Sequence, residues 1–375
     1  MKPPYRVPLM TEIKKIPWNG HTAASLFAGC GGSCLGLRMA GFKVLWANEF
    51  VADARDSYAA NHPSAILDPR DIRHIKPKEI LTALKLGAGD LDVLNGSPPC
   101  QSFSTAGIQE KGWNKVSSHG DGSVQRADDL FFEFTRILKG IQPKAFIAEN
   151  VSGLVKGVSI GYFKEILAAL KACGYVVEVR LLDAQWLGVP QMRQRVIFQG
   201  IRKDLKGKPL WPIPFKYRYS VRDAIGPGLI KAFEETGGDF SYGDCTNGPS
   251  ETVRAGGVGH LKIVEDQAWL TGKTRRDWND LKSGETHPKH FTLSRANANK
   301  PSPAIAVIWG QSTSIHSLTH PNEPRKFSIA ELKRICSFPD DFILTGSYGK
   351  QWARLGNSVP PLMMMAIAMK VREIF

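Results

Sequence analysis

The chain has 375 residues, is 42% hydrophobic, and carries 49 Lys and Arg against 35 Asp and Glu, a net charge of +14. That length suits one large domain or two ordinary ones with a globular core. No apolar run approaches the roughly 18 residues of a membrane helix. The start, Met1-Lys2-Pro3-Pro4-Tyr5-Arg6, lacks the apolar core of a signal peptide, and the six cysteines form no CxxC pair and no zinc spacing. The expectation is a reduced, cytoplasmic protein with no structural metal and no membrane partner. The basic balance favours a polyanionic partner, most simply nucleic acid, although a solvated basic surface has the same composition.

From residue 22 to about 201 strand-like and helix-like segments alternate. Residues 23–27 and 43–47 read as strands, with 33–40 as the helix between them. Residues 91–95, 145–148 and 175–182 are further strands, and 130–139 and 162–172 carry apolar residues at helical spacing. This alternation predicts βαβ units and a mostly parallel sheet. Residues 101–127 have almost no apolar periodicity and are rich in Gly, Ser, Lys and Asp. A loop of that length is commonly a lid, a binding loop or disordered. Beyond residue 202 the character changes. Residues 203–320 are rich in Gly, Pro, Thr, Asn and basic side chains, with strand-like pieces at 261–264 and 304–308. They predict a smaller, irregular, β-rich domain. Helical patterning returns at 328–336 and 362–374, and the last helix is expected to pack back on the first domain. The predicted division is a discontinuous large domain, 1–205 plus 343–375, and a second domain with its hinge at 206–342.

Four segments carry chemistry. The first, Ser25-Leu26-Phe27-Ala28-Gly29-Cys30-Gly31-Gly32-Ser33, runs from a strand through a glycine-rich turn into a helix. Such a turn lets a ligand approach the backbone. Glu49 lies 20 residues after Gly29, at the end of the next strand, where an acid binds ribose hydroxyls. The pattern suits a nucleoside cofactor; it is equally a tight turn beside a surface glutamate. No Walker lysine is present, which argues against nucleotide hydrolysis. The second segment is Gly96-Ser97-Pro98-Pro99-Cys100-Gln101. The prolines end a strand and leave a thiol at its C-terminal end, where open α/β sheets place ligands. A lone cysteine there is also readable as an inert buried thiol.

The third segment is Glu149-Asn150-Val151, directly after the strand 145–148. A carboxylate buried at a strand end can donate a proton near neutral pH, because burial disfavours its charged form. A plain cap on the following turn is the alternative. The fourth is Gln191-Met192-Arg193-Gln194-Arg195, where strand alternation puts Gln191, Arg193 and Arg195 on one face. Two guanidiniums there can hold a base carbonyl and a phosphate, or simply charge a strand edge. Leu355-Gly356-Asn357-Ser358-Val359-Pro360-Pro361 reads as a turn closing on the sheet before the last helix.

Taken together and in this order, these segments resemble the DNA (cytosine-5)-methyltransferases of the bacterial and phage restriction-modification type. The similarity covers about 22–202 and 325–375. Residues 327–342 also resemble the family's penultimate motif, through Glu331, Arg334, Phe338 and Pro339. Ile335-Cys336 stands where that family usually has leucine–glutamine, and Ser25 stands where it usually has aspartate.

The resemblance implies a Rossmann-like sheet that binds S-adenosylmethionine. Phe27 and Phe50 would flank the adenine, Glu49 would take the ribose, and Asp71 with Ile72 would read the adenine edge. Ala28, Gly29, Gly31, Gly32, Pro99, Leu130, Asn357, Ser358 and Val359 would complete the pocket. It implies that Cys100 is the nucleophile toward C6 of a flipped cytosine. Glu149 would act at N3, Arg195 at O2, and Arg193 would brace the loop or a phosphate. Gln101, Ser102, Ser104, Gln191, Arg254, Arg275, Arg276 and Arg295 are the candidate contacts to double-stranded DNA. Each basic residue among them is also readable as plain solubility. A cognate restriction endonuclease and a monomeric state complete the expectation. The rivals are an RNA cytosine-5 methyltransferase, a non-catalytic DNA-binding protein of the same fold, and, more distantly, an NAD-dependent dehydrogenase.

Overall fold

The computed structural model describes residues 2–99, 130–226, 270, 272–289, 293–305 and 318–375, with the antiparallel pair β5 (Ser117–Ser118) and β6 (Val124–Gln125). After a single helical turn α1 (Met10–Ile13), the chain forms β1 (Thr22–Leu26), α2 (Gly32–Met39), β2 (Lys43–Asn48), α3 (Ala52–Asn61), β3 (Ile66–Asp68), α4 (Pro77–Leu84) and β4 (Val93–Gly96). Helix α5 (Leu130–Ile141), β7 (Ala145–Val151), α6 (Ile160–Ala172), β8 (Tyr175–Asp183), the short β9 (Gln191–Met192) and β10 (Gln194–Arg202) follow.

Seven strands form one sheet in the order β3-β2-β1-β4-β7-β10-β8. Neighbours from β3 to β7 are parallel; β10 runs antiparallel between β7 and β8. The central strands β1, β4 and β7 are buried on both faces, as parallel strands covered by helices must be, whereas the edge strands β3 and β8 are partly exposed. Ala23, Ile147 and Ile197 point into one apolar cluster with Leu35, Ile367 and Val371; Ala24, Phe146, Ala148, Val196 and Phe198 point into the other with Phe134, Ile137 and Ile166. Residues one apart thus serve opposite cores, the period-2 rule of a strand. The expected alternation and mostly parallel sheet are what the structure shows.

Several boundaries differ. Strand β7 continues to Val151, so Glu149 and Asn150 lie inside it rather than after it. Helix α3 escaped the pattern because its buried positions are Ala54, Ser57, Tyr58 and Asn61, which make no apolar stripe. The stretch read as a turn before the last helix begins as the end of α9 (Tyr348–Asn357) and enters α10 (Pro361–Arg372) at its first proline. Helix α10 packs against α2, as expected.

Within 206–342 the described residues form α7 (Gly272–Asn279), α8 (Ile329–Ile335) and the two-residue strands β11 (Ser294–Arg295), β12 (Ser302–Pro303) and β13 (Leu318–Thr319). The expected strand 261–264 lies outside the described residues. Strand β12 pairs with β9, and Phe327, Ile329, Leu332, Ile335, Phe338 and Phe342 share an apolar cluster with Leu35 and Val359. Among the described residues no helix is long and apolar enough to cross a membrane.

Candidate active site

From β1 the chain proceeds outward to β2 and β3, whereas β4 lies on the other side of β1. This reversal of direction opens a crevice above the C-terminal ends of β1 and β4, the place where open α/β sheets bind ligands. Leu26 and Gly96 are in register, so the Phe27–Gly32 turn and the Ser97-Pro98-Pro99 turn rise side by side. Phe27 has a φ of +54°, and both Phe27 and Phe50 are half-buried. The Gly29 N–H donates to Glu49 Oε2 at 2.7 Å and the Val51 N–H to Oε1 at 2.8 Å. Burial raises the Glu49 pKa despite these two donors. Each of its oxygens retains capacity for another bond, which suits a pair of ribose hydroxyls. Beyond Gly29 the space is open: a Cβ there would meet nothing within 4 Å.

Asp71 caps the turn Ile72–His74, accepting the Arg73 N–H at 3.0 Å, and Ile72 is buried. Arg136 of α5 pins this turn through Ile72 O at 2.8 Å and Ile75 O at 3.0 Å. Leu130, at the start of α5, is buried; Pro99 is half-buried. From the last motif, Val359 is buried, Ser358 half-buried and Asn357 exposed. Ser25 does not reach the crevice. It is fully buried, and its Oγ accepts the Asn95 amide at 2.9 Å, so the serine ties β1 to β4.

On the other side of the crevice, Arg195 Nε lies 2.7 Å from Glu149 Oε1. Both belong to adjacent antiparallel strands, with Arg195 opposite Val151 and Ile197 opposite Glu149. Next to Glu149, the Asn150 amide donates to Pro98 O at 3.3 Å and so holds the turn that leads to Cys100. Alternation does place Gln191, Arg193 and Arg195 on one face, with Met192 and Gln194 exposed between them. Two of the three, however, turn into the core. Gln191 is fully buried and its amide donates to Cys336 Sγ at 3.3 Å, so it is not a DNA contact. Its partner is the residue at which the penultimate motif departs from the family pattern. Arg193 is 2% exposed and donates to Gly356 O at 2.8 Å, bracing a turn rather than a phosphate. Arg295 is likewise spent on structure: it lies 4.0 Å over the Trp278 ring and donates to Pro321 O and Leu281 O, each at 2.8 Å. Arg275 and Arg276 are exposed on α7. Cys100, Gln101, Ser102, Ser104 and Arg254 lie outside the described residues.

The penultimate motif serves packing. Ser328 and Glu331 cap α8 reciprocally, and Glu331 meets Arg325 through two bonds of 2.7 and 2.8 Å. Removing one member of such a buried pair costs about 3–5 kcal/mol, because the other charge is left uncompensated.

A doubly wound sheet with a nucleoside cradle at its switch point, and a Glu–Arg pair beside a turn leading to cysteine, defines a methyltransferase that uses S-adenosylmethionine. Residues 21–373 match the family of C-5 cytosine-specific DNA methylases, and the chain belongs to that family. It is similar to the type II methyltransferases M.NgoFVII of Neisseria gonorrhoeae (30% identity over 94% of this chain and 86% of the relative) and M.FnuDI of Fusobacterium nucleatum (31%, 93% of each). Its fold is shared with a protein described as a DNA modification methyltransferase of an Escherichia coli prophage (TM-score 0.70, 23% identity, 95% and 99% covered). A variant of Spodoptera frugiperda DNMT2 has the same fold (TM-score 0.62, 17% identity, 94% and 100% covered). The chain is therefore a DNA (cytosine-5)-methyltransferase, and the dehydrogenase reading falls.

Sequence inspection missed His62, which carries no motif signal. It abuts the cofactor turn: a Cβ on Gly31 would come within 2.2 Å of His62 Nε2. The imidazole ring lies 4.6 Å from the Tyr58 ring, tilted by 34°. Burial, and then Arg38, pushes its pKa down to about 3. Below the unfolded value of 6.5 the unfolded chain takes up a proton that the folded chain refuses, so this residue weakens the fold as pH falls from 6.5 toward 3. Between pH 6.5 and 5 the loss amounts to about 2 kcal/mol. Urea unfolding of wild type and His62→Leu at both pH values should show the variant losing less stability by that amount. Parallel losses in the two proteins would contradict the assignment.

Proposed function

We propose that the chain methylates C5 of a flipped cytosine within a specific duplex DNA sequence, through a covalent bond between Cys100 and C6. The observation that most supports this is the 2.7 Å Glu149–Arg195 pair, beside the turn that leads into Cys100. The target base has to leave the stack, since its reactive atoms are inaccessible in the duplex. Cysteine is the best nucleophile available to a protein for this addition, being partly ionised near pH 7. As the Cys100 Sγ–C6 bond forms, the C5–C6 π pair becomes available at C5. Glu149 donates a hydrogen bond or proton to N3, so no bare anion builds up, and Arg195 holds O2. S-adenosylmethionine, when bound by the Gly29–Glu49 cradle, supplies an electrophilic methyl group. After C5 is methylated its proton goes to a base such as solvent water; the returning pair restores the double bond, N3 gives its proton back to Glu149, and Cys100 leaves as the thiolate. The reading extends to a cognate endonuclease for the same sequence and to a monomer in solution; bisulfite sequencing of DNA from expressing cells identifies the target.

A duplex with 5-fluorocytosine at the target tests the covalent step. Fluorine cannot leave as a cation, so the adduct stalls on the enzyme when S-adenosylmethionine is present. Peptide mapping is expected to find the base on Cys100. An adduct on Cys30 or Cys336, or one formed as readily on matched RNA, would overturn the nucleophile or the substrate class.

Glu149→Gln keeps a hydrogen-bonding side chain but cannot pass a proton. Methyl transfer should slow by about 100-fold to 10,000-fold, the usual worth of general acid catalysis, while cofactor affinity changes little. A rate within about threefold of wild type is incompatible with the role given to Glu149.

Residues 206–342 are the proposed reader of the target sequence. Helix α7 buries Thr274 and Trp278, whose indole donates to Thr319 Oγ1 at 2.8 Å, and this leaves Arg275 and Arg276 exposed. Adjacent arginines on a polar helix suit phosphates better than base edges. Neutralising both should weaken binding to target and scrambled duplexes alike, lowering the slope of log K against log salt by about 0.9 for each phosphate that the two arginines neutralise. Weakening confined to the target duplex would make them base readers instead, and unchanged binding to both would return them to solvent.

A further inference from the structure

Arg193, between β9 and β10, and Arg195, inside β10, share a face but end on different partners. Arg195 turns toward Glu149, at the crevice. Arg193 is buried and ends on the carbonyl of Gly356 at 2.8 Å. Burial, and Arg195 after it, pushes the Arg193 pKa down to about 9, which leaves a cation at neutral pH. A buried cation makes strong bonds to the carbonyls it meets, and breaking such a bond is correspondingly costly.

Gly356 lies in the last turn of α9, two residues before Ser358. The Ser358 hydroxyl donates to Arg354 O at 2.6 Å and lies 3.1 Å from Cys30 Sγ. Either group can donate in that second contact, and Cys30 Sγ also faces Arg354 O at 3.9 Å. Cys30 stands between Gly29 and Gly31 in the cofactor turn. One residue further, the Val359 carbonyl presses on Gly32 so closely that a Cβ there would lie 2.5 Å from it. The path from Arg193 to the glycine turn is therefore continuous: a bond to Gly356, a serine against Cys30, and a carbonyl against Gly32.

We propose that Arg193 is a positioning residue for the cofactor turn, acting through the backbone of 356–359 and touching neither the base nor a phosphate. The proposal rests on the assignment of that turn to S-adenosylmethionine. It implies that one two-residue step in sequence, from Arg193 to Arg195, serves both halves of the reaction centre: one guanidinium orients the cofactor cradle and the other the base.

Binding, rather than turnover, tests this. With no DNA present, Arg193→Met should raise the calorimetric Kd for S-adenosylmethionine about tenfold, as expected when one charge-assisted bond is removed. Arg193→Lys, which keeps a cationic donor, should recover most of that affinity. Affinity for a duplex without cofactor should stay within about twofold, and in turnover the KM for S-adenosylmethionine should rise more than kcat falls. Ser358→Ala should weaken cofactor binding in the same direction. Combined with Arg193→Met it should cost less than the product of the single effects, by more than about threefold, because both interrupt one path. Unchanged cofactor affinity with weakened duplex binding would put Arg193 at a phosphate and overturn the proposal, as would strictly independent effects of the two substitutions. If Arg193→Met fails to fold, Ser358→Ala decides: unchanged cofactor affinity in that variant breaks the path. The wild-type Kd measured alongside separates this failure from a failure of the cofactor assignment.

Discussion

The close approach of α2 and α10 is the contact on which the rest of the molecule depends. Helices from opposite ends of the chain can meet this closely only where one of them lacks side chains. Gly36 provides that place, since a Cβ there would fall 2.5 Å from Pro361 O and 2.6 Å from Met364 Cβ. Overpacking of such a site typically costs about 1–3 kcal/mol. The contact does more than hold a helix. It brings Ser358 and Val359 onto the glycine turn, so that turn is packed by residues more than three hundred positions away. After β10 the chain must leave the sheet and come back with α9 and α10 for that arrangement to exist.

The sheet supplies the second half of the arrangement. Because β1 and β4 are neighbours and parallel, the glycine turn and the proline turn emerge at the same edge. The antiparallel insertion of β10 beside β7 then brings Arg195 against Glu149. In an all-parallel sheet the start of β10 would lie at the far edge, and the guanidinium would have no carboxylate to meet. Strand direction is thus what brings the glycine turn, the proline turn and the Glu149–Arg195 pair to one crevice. The buried polar groups follow the same economy. Asn150 holds the proline turn, Asn95 and Ser25 tie β1 to β4, and Gln191 finds the sulfur of Cys336.

The arginines show how little residue type says about role. Arg193, Arg195 and Arg295 all read as candidate ligands for base or phosphate. One crosses the core to a carbonyl, one pairs with a carboxylate at the crevice, and one lies on an indole with two backbone acceptors. Each guanidinium has five donors on a long stem, so it reaches whichever acceptors the fold places nearby.

Period and punctuation alone determined the class of fold: apolar runs of strand length alternating with amphipathic helices, a glycine turn after the first strand, and prolines after the run 91–95. They also marked Glu49, Glu149 and Arg195, because residues at strand ends have fixed addresses in a parallel sheet. Local patterns are set by neighbours one to four positions away, and these are visible in a sequence. Which strand lies beside which, and in what direction, depends on contacts across hundreds of residues. So only the tertiary structure decided that Glu149 sits within its strand, that Gln191 and Arg193 face inward, that Ser25 bonds Asn95 rather than reaching the crevice, and that a histidine without any motif lies against the glycine turn. Burial is a property of the packed whole, and no window of sequence contains it.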